Sequence, residues 1–251
     1  MGWRRAVVTG ASSGIGKAMV ERLAEQGTPV VLVARSAERM EALAETLDVD
    51  SEILPADLGT ADGIAAVEAR LRSEEDPVDL LVNNAGFGHS GPFVEVDAGR
   101  QQAMVDVNVS ALVQLTHAAA TVMSERAGGT ILNVSSVAAA TPAPSSAVYA
   151  ATKAFVTSFS QSVHEELREQ GVVVSCLAPG FTRTEFQDRA EFDASKIPDF
   201  AWQTAEQVAA IGLDGAAKGR AMVVPGAQNK VLLGGVKLLP DSIKRRIAAA
   251  I

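Results

Sequence analysis

Short apolar runs recur along the chain, and stretches with helical spacing separate them. Several of the runs are apolar throughout, which is typical of strands that are covered on both faces. The seven runs are Ala6 to Thr9, Val30 to Ala34, Glu52 to Leu54, Leu80 to Asn83, Thr130 to Val134, Val172 to Ala178 and Ala221 to Val224. Strands that alternate with helices indicate parallel βαβ units with right-handed crossovers. The pattern therefore predicts an α/β fold with a doubly wound, seven-stranded parallel sheet and helices on both faces.

No linker or repeat interrupts this alternation, so one domain over residues 1–251 is expected. Periodicity weakens in residues 181–203, which form a candidate substrate loop. This segment carries five aromatic residues: Phe181, Phe186, Phe192, Phe200 and Trp202. An insertion after a parallel strand is placed to cover the ligand crevice, but a loop that merely packs on the body through its aromatics is an equal alternative. Thr204 and Gln207 have the spacing of a capping box that opens the next helix.

The C-terminal tail, residues 228–251, is apolar with spaced cations. Gly234-Gly235 and Pro240 are expected to break it into short pieces. Contact with a membrane surface fits this composition. Packing of the tail against the body or against a second subunit is the favoured interpretation.

Composition excludes several classes of function. The net charge is -8 and the basic residues are scattered, so no nucleic-acid partner is expected. The single cysteine, Cys176, is expected to be a buried strand residue, and the three histidines are dispersed, so no metal site is predicted. Neither a signal peptide nor an apolar span is apparent, which favours a cytoplasmic location.

Tyr149 is the only tyrosine, and Lys153 follows it by four residues. On a helix such a pair shares one face, so the ammonium would favour the phenolate and lower the tyrosine pKa from about 10. The phenol could then exchange a proton with a substrate oxygen. Taken alone, this spacing is far more often an ordinary pair on an amphipathic helix.

A strand, a glycine-rich turn and a helix follow one another from Val7 to Gly16. Glycines permit close backbone approach, and a helix N-terminus offers N–H groups to a pyrophosphate. The spacing is GxxxGxG instead of the GxGxxG fingerprint. Arg35 follows the second strand, where an acidic residue would bind a ribose 2′-hydroxyl. An arginine suits a 2′-phosphate, so NADP(H) is predicted over NAD(H), with a solvated loop arginine as the alternative.

Together these features resemble the classical branch of the short-chain dehydrogenase/reductase family over residues 5–226. The motifs that carry the resemblance are TGASSGIG at Thr9 to Gly16, Asp57-Leu58, Asn83-Asn84-Ala85-Gly86, Asn108 in VNV, Ser136, Tyr149-x-x-x-Lys153 and Pro179-Gly180. The resemblance implies a single-domain Rossmann fold and an NADP(H)-dependent oxidoreductase that interconverts an apolar ketone or aldehyde with an alcohol. It also implies a homodimer or homotetramer that pairs through helices near residues 107–126 and 146–169.

The resemblance assigns catalytic roles to Asn108, Ser136, Tyr149 and Lys153. Tyr149 would exchange the proton, and Lys153 would lower its pKa and bind the nicotinamide ribose. Ser136 would stabilise charge on the substrate carbonyl, with its neighbour Ser135 as the competing candidate. Asn108 would help to hold a water that connects the lysine to solvent.

The cofactor-binding residues implied by the resemblance follow the ends of the strands: Gly10, Ser12, Ser13, Gly14, Ile15, Gly16, Arg35, Ser36, Asp57, Leu58, Asn84, Ala85, Gly86, Tyr149, Lys153, Pro179, Gly180, Thr182 and Thr184. Asp57 and Leu58 would contact the adenine, although a turn or N-cap role is the alternative for the aspartate. A non-catalytic NADP(H)-binding redox sensor is the alternative function. The complete catalytic set argues against that alternative.

Overall fold

The seven apolar runs form one parallel sheet in the computed structural model, which describes residues 2–195 and 197–238. In chain order the strands are β1 (Ala6–Thr9), β2 (Val30–Ala34), β3 (Ser51–Pro55), β4 (Leu80–Asn83), β5 (Gly129–Val134), β6 (Val172–Leu177), β7 (Thr182–Arg183), β8 (Gln203–Thr204) and β9 (Met222–Val223). The main sheet has the order β3-β2-β1-β4-β5-β6-β9, and its strand pairs are parallel. The strand order therefore reverses between β1 and β4, and the predicted fold class is confirmed.

Helices lie between the strands. They are α1 (Gly14–Glu25), α2 (Ala37–Ala44), α3 (Ala61–Arg72), α4 (Ala98–Val105), α5 (Leu112–Glu125), α6 (Ala147–Leu167), α7 (Phe186–Arg189), α8 (Ala205–Ala217) and α9 (Ala227–Leu238). A π-helical segment, Asp106–Ala111, joins α4 to α5. None of the helices within the described ranges is both long and apolar enough to span a bilayer.

Alternate residues of each strand enter cores on opposite faces of the sheet, because successive side chains of a strand point to opposite sides. Val8 and Leu32 join the core that α1, α2 and α8 complete. Val7 and Val31 join the second core, which α3 and α5 complete. Full burial of such a side chain stabilises the fold by about 1.5–3 kcal/mol. These two cores explain why consecutive positions of a central strand such as β2 are all apolar.

The ends of the substrate loop, residues 181–203, are tied together by a second, two-stranded sheet of β7 and β8. The sequence did not predict these two-residue strands. Thr204 forms the predicted capping box with Gln207, and this prediction is confirmed. Within the loop, the ring of Phe181 lies 5.9 Å from that of Phe192 and 5.6 Å from that of Trp202. Most of the loop's aromatics therefore pack on one another.

Helix α9 contradicts one prediction, because it continues through Gly234 and Gly235 to Leu238. A glycine inside a helix costs only about 1 kcal/mol relative to alanine, so it weakens a helix without ending it. The first turn of α9 is anchored by Asn229, which is buried and donates hydrogen bonds to the Pro225 carbonyl at 2.7 Å and to Gln203 Oε1 at 3.2 Å. The tail from residue 239 onward, including Pro240, lies outside the described residues.

Candidate active site

The site lies at the carboxyl ends of the strands, where the order reverses between β1 and β4. Thr9, the last residue of β1, donates a hydrogen bond to the Val82 carbonyl at 3.2 Å and accepts the N–H groups of Asn84 and Ala85, both at 3.0 Å. The Asn84 amide in turn donates to the carbonyls of Thr9 at 2.9 Å and Gly10 at 3.3 Å. These bonds hold the glycine-rich turn against β4, at the position where open α/β sheets bind nucleotides.

The glycine-rich turn has no room for side chains. Gly10 has a φ of +65°, which favours glycine, and a Cβ on Gly16 would lie 2.2 Å from the Gly10 carbonyl oxygen. Ser13 is the N-cap of α1, and its side chain makes no capping bond. Helix α1 therefore begins directly behind the turn, and this arrangement fits a dinucleotide pyrophosphate.

Tyr149 and Lys153 lie one turn apart on α6. The Ser136 hydroxyl lies beside the Tyr149 phenol, where it acts to lower the pKa of that phenol. The Lys153 Nζ atom lies 5.9 Å from the Tyr149 ring centroid and donates a hydrogen bond to the Val134 carbonyl at 2.8 Å. The structure thus brings three of the four predicted catalytic residues together at the end of β5.

Ser135 points away from this cluster. It is buried, and its hydroxyl donates to the Lys153 carbonyl at 2.8 Å and lies 2.7 Å from Thr157 Oγ1. Ser136, the adjacent residue, instead begins a 3₁₀ turn and accepts the Ala138 N–H at 3.1 Å. Of the two serines, only Ser136 therefore places its hydroxyl beside the phenol.

Burial dominates the protonation of the cluster. It raises the pKa of Tyr149 to about 12, and the hydrogen bond from Ser136 opposes that rise. Burial also lowers the pKa of Lys153 to about 8. The sequence alone predicts a lower tyrosine pKa, and this direction is wrong for the structure, because desolvation of the phenol outweighs the opposing effect of the Ser136 hydroxyl. At neutral pH the phenol keeps its proton and the ammonium keeps its charge.

Asn108 lies in the π-helical segment and is fully buried. Its amide nitrogen donates to the Phe87 carbonyl at 2.9 Å and to Thr152 Oγ1 at 3.1 Å, and its oxygen accepts the Phe87 N–H at 3.0 Å. Thr152 Oγ1 donates to the Tyr149 carbonyl at 2.7 Å. The side chain therefore connects the loop after β4 to the helix that carries the cluster. Single π turns of this kind are frequent at functional sites.

The end of β2 offers a cation without a competing carboxylate. Arg35 is exposed and makes no ion pair within residues 2–195 and 197–238. Ser36 caps α2, because its hydroxyl accepts the Arg39 N–H at 3.3 Å. Arg39 extends toward the substrate loop and pairs with Glu185 at 3.3 Å. The guanidinium of Arg35 is free to meet an anion.

The predicted adenine contacts have local structural roles as well. Asp57 is exposed, and its carboxylate accepts the Gly59 N–H at 2.9 Å, which is the turn role left open by the sequence. Leu58 is 7% exposed and belongs to the second core. Its side chain is therefore mostly removed from the crevice, and Asp57 is the member of the pair that faces solvent.

The segment after β6 returns to the glycine-rich turn. The Pro179 carbonyl accepts the Val137 N–H at 2.9 Å, and a Cβ on Gly180 would lie 2.4 Å from the Asn229 amide nitrogen. Thr182 is buried and donates to the Gly180 carbonyl at 3.0 Å. A Cβ on Gly14 would lie 3.2 Å from the Thr184 side chain.

The substrate loop contacts Tyr149 through Phe186. The ring centroids of these two residues lie 5.4 Å apart. Gly88 fits between them, since a Cβ there would lie 2.9 Å from Phe186 and 3.2 Å from Tyr149. A cavity of about 30 Å³ lies beside Tyr149. Its walls include His89, Phe93, Val96, Met104 and Ser146.

Sequence reasoning missed four residues that shape this site: Gly88, His89, Thr152 and Asn229. Gly88 and His89 lie within three residues after the predicted Asn-Asn-Ala-Gly motif, and Thr152 directly precedes the predicted lysine. Their closeness in sequence to predicted site residues was a signal that could have identified these three. Asn229 offered none, because it reaches Gly180 only through the tertiary fold.

The reversed strand order, the glycine-rich turn and the clustered serine, tyrosine and lysine together define a nucleotide-dependent oxidoreductase. The family model described as short chain dehydrogenase matches residues 4–194, which is more than half of the chain. The chain belongs to the short-chain dehydrogenase/reductase family.

Several known proteins are similar to this chain. Sulfoacetaldehyde reductase of Chromohalobacter salexigens is 40% identical over 183 residues, which is 71% of this chain and 72% of that protein. The structure of a short-chain dehydrogenase from Sphingobium yanoikuyae in complex with NADPH has a TM-score of 0.85 at 33% identity and covers 98% of this chain and 96% of its own. The bulky-bulky ketone specific alcohol dehydrogenase from Comamonas testosteroni has a TM-score of 0.80 at 31% identity, with coverage of 96% and 97%.

Proposed function

We propose that this protein is an NADP(H)-dependent carbonyl reductase that acts on an apolar ketone or aldehyde and uses Tyr149 as the proton donor. The observation that carries the proposal is the grouping of the Ser136 hydroxyl, the Tyr149 phenol and the Lys153 ammonium at the end of β5. A non-catalytic redox sensor would need the glycine-rich turn and Arg35, but it would have no use for this cluster.

Three side chains have separate roles in the proposed reduction. Bound NADPH supplies the hydride. Burial raises the pKa of Tyr149 to about 12, so the phenol holds its proton at neutral pH. Tyr149 donates this proton to the substrate carbonyl oxygen as negative charge develops on that oxygen. Ser136 donates a hydrogen bond to the same oxygen and stabilises that charge. Lys153 carries a positive charge below about pH 8 and compensates the phenolate left behind.

The preference for NADP(H) rests on charge at the end of β2. Arg35 is exposed there, and no acidic residue occupies the position that would bind a free ribose 2′-hydroxyl. A guanidinium offers charge-assisted, potentially bidentate hydrogen bonds to a phosphate. The NADPH complex of the Sphingobium relative supports this choice.

An apolar substrate is supported by the surroundings of the phenol. Phe186 packs against Tyr149, and Phe93, Val96 and Met104 line the adjacent cavity. The ketone substrates named for the Comamonas relative point to the same class of compound. Aromatic and aliphatic walls favour a substrate that buries apolar area beside its carbonyl group.

Steady-state absorbance at the nicotinamide band tests the proposal. Purified protein is titrated with NADPH and with NADH against a panel of apolar ketones, aldehydes and diketones. The proposal expects oxidation of NADPH that depends on the carbonyl compound, with kcat/KM for NADPH well above that for NADH. A preference for NADH would overturn the role of Arg35, and saturable NADPH binding without any turnover would favour the sensor.

We also propose that the chain forms a homodimer or homotetramer through α5 and α6. Phe155 on α6 is 43% exposed although it is a large apolar residue, and its ring stacks on Phe159 at 5.7 Å. A stacked aromatic pair with one exposed member on a long helix suits a subunit interface. Light scattering of the wild type and of Phe155→Lys is the test, and a wild type that is already monomeric would contradict the proposal.

A further inference from the structure

The imidazole of His89 lies between the cavity beside Tyr149 and the substrate loop. Its side chain is only 11% exposed, and its Nδ1 atom lies 3.6 Å from Glu191 Oε1. That nitrogen is buried and has no hydrogen-bond partner within the described part of the chain. Buried polar atoms in native proteins are nearly always paired, so a buried imidazole with an unpaired nitrogen is unusual.

The other ring nitrogen, Nε2, lies close to Gly91. A Cβ built on Gly91 would lie 3.5 Å from His89 Nε2, and Gly91 lines the same cavity as His89 and Tyr149. The backbone there is fixed, because the Gly91 N–H donates to the Ser145 carbonyl at 2.8 Å. His89 and the proposed proton donor, Tyr149, therefore line one cavity.

We assign the imidazole proton to Nδ1, because the nearby Glu191 carboxylate can only accept hydrogen bonds, although at 3.6 Å it is too far away to form one. In the neutral ring Nε2 is then left as an acceptor. The carboxylate is held by Arg100, whose Nη1 atom lies 3.0 Å from Glu191 Oε1. The Ser90 N–H also donates to the Ala190 carbonyl at 2.8 Å, which keeps the two loops together.

We propose that this cavity is a substrate subsite in which His89 Nε2 accepts a hydrogen bond from a hydroxyl group next to the reacting carbonyl. The inference rests on the function proposed above and narrows its substrate class to α-hydroxy ketones or aldehydes that are otherwise apolar. A cavity of about 30 Å³ admits a group of a few atoms. Phe93, Val96 and Met104 supply its apolar walls. Its polar side chains besides Tyr149 are His89, Gln101, Ser145 and Ser146, and we assign the hydroxyl proton to His89.

A matched pair of ketones tests the subsite. 2-Hydroxyacetophenone and propiophenone differ only in a hydroxyl that replaces a methyl group, so they have nearly the same shape. The ratio of their kcat/KM values with NADPH is compared among wild type, His89→Phe and His89→Gln. The difference in chemical reactivity between the two ketones is the same for every variant, so it cancels when their ratios are compared. We expect the ratio to fall about fivefold in His89→Phe, which corresponds to one neutral hydrogen bond.

The remaining variants act as controls. Gln retains an acceptor oxygen, so His89→Gln should keep part of the preference for the hydroxylated ketone. Glu166→Gln removes an exposed carboxylate on α6, far along the helix from Tyr149, and should leave the ratio unchanged. A ratio that is the same in His89→Phe as in wild type would overturn the subsite while leaving carbonyl reduction intact.

A binding measurement separates failure of the subsite from failure of the proposed function. Thermal shifts of the NADP⁺-loaded protein are recorded with 1-phenyl-1,2-ethanediol and with 1-phenyl-1-propanol. The subsite predicts a larger shift with the diol, and loss of that difference in His89→Phe. A diol preference that depends on His89, without reduction of either ketone, would support the subsite and contradict the reductase. Equal shifts in wild type would overturn the subsite.

Discussion

The Lys153 ammonium donates a hydrogen bond to the Val134 carbonyl at 2.8 Å, so the last residue of β5 fixes the charge beneath the Tyr149 ring. Val134 immediately precedes the two serines, and Ser136 reaches the phenol from the same strand end. One strand end therefore positions both partners of the tyrosine. The close fit extends to Gly86, where a Cβ would lie 3.5 Å from Lys153 Nζ.

Stability should change with pH through Lys153. Burial lowers its pKa from 10.5 to about 8, so the folded protein carries the full cost of the buried charge below pH 8. Between about pH 8 and 10.5 the unfolded chain binds a proton that the folded chain has lost, and this contribution to stability rises with pH. Lys153→Met removes the cost and should raise the free energy of unfolding at pH 7 by up to about 3 kcal/mol.

Urea denaturation of both proteins at pH 7 and pH 10 measures this effect. The advantage of Lys153→Met should be largest at pH 7 and should shrink at pH 10. Activity should be lost in the same variant. A variant that is less stable than wild type at pH 7 would show that the bond to Val134 outweighs the desolvation of the charge.

The rate of carbonyl reduction should also depend on pH. Tyr149 stays protonated up to about pH 12. Any fall in rate between pH 7 and 10 is therefore assigned to loss of the Lys153 charge, because the pKa of Lys153 is about 8. We expect kcat/KM for reduction with NADPH to be level at neutral pH and to fall above about pH 8. A profile that stays flat to pH 10 would remove the lysine charge from the mechanism.

Replacement of Arg35 should separate the two cofactors. Arg35→Ser removes the charge proposed for the 2′-phosphate, so NADPH should bind about 10- to 100-fold more weakly, as expected for a charge-assisted contact. NADH binding should not change. Calorimetric titration of both cofactors measures this, and Arg72→Ser, which breaks only an exposed pair with Glu68, is the matched control. An equal loss for NADPH and NADH would contradict the assignment.

Thr152 should affect catalysis only by positioning Tyr149, because its hydroxyl bonds to the backbone of that residue and to Asn108. Thr152→Val keeps the shape of a buried residue but removes the hydroxyl that joins Asn108 to the Tyr149 carbonyl. Stability should fall by about 1–2 kcal/mol because the buried Asn108 amide loses a partner. We expect kcat to fall about tenfold while NADPH affinity is kept.

The control is Thr121→Val. That hydroxyl is exposed and bonds only to the His117 carbonyl of its own helix, at 2.9 Å. The control should retain both stability and kcat. If Thr152→Val had normal kcat, the link from Asn108 would have no part in positioning the phenol.

Local chemistry explains which parts of the fold could be predicted. Strands covered on both faces are apolar at every position, and this identified the run from Val30 to Ala34 at its observed bounds. The two-residue strands β7 and β8 carry no such pattern, since their pairing depends on where the substrate loop returns. Helix α9 was missed because glycine pairs are common in turns, although they also occur within helices.

The candidate site also has features that the sequence could predict and features that depend on tertiary packing. Tyr149 and Lys153 share a helix face, so their neighbourhood follows from spacing alone. The tyrosine pKa does not follow from spacing, because desolvation depends on the packing of Phe186 and the loop after β4 over the ring. The position of His89 against Glu191 depends likewise on two loops that are far apart in sequence.

The most direct test is a single turnover of the preformed NADPH complex with an apolar ketone, followed at the nicotinamide band, for wild type and Tyr149→Phe. We predict that the variant binds NADPH within about twofold of wild type but transfers hydride about 10²- to 10⁴-fold more slowly, because it has lost its proton donor. Hydride transfer at the wild-type rate in Tyr149→Phe would contradict the account.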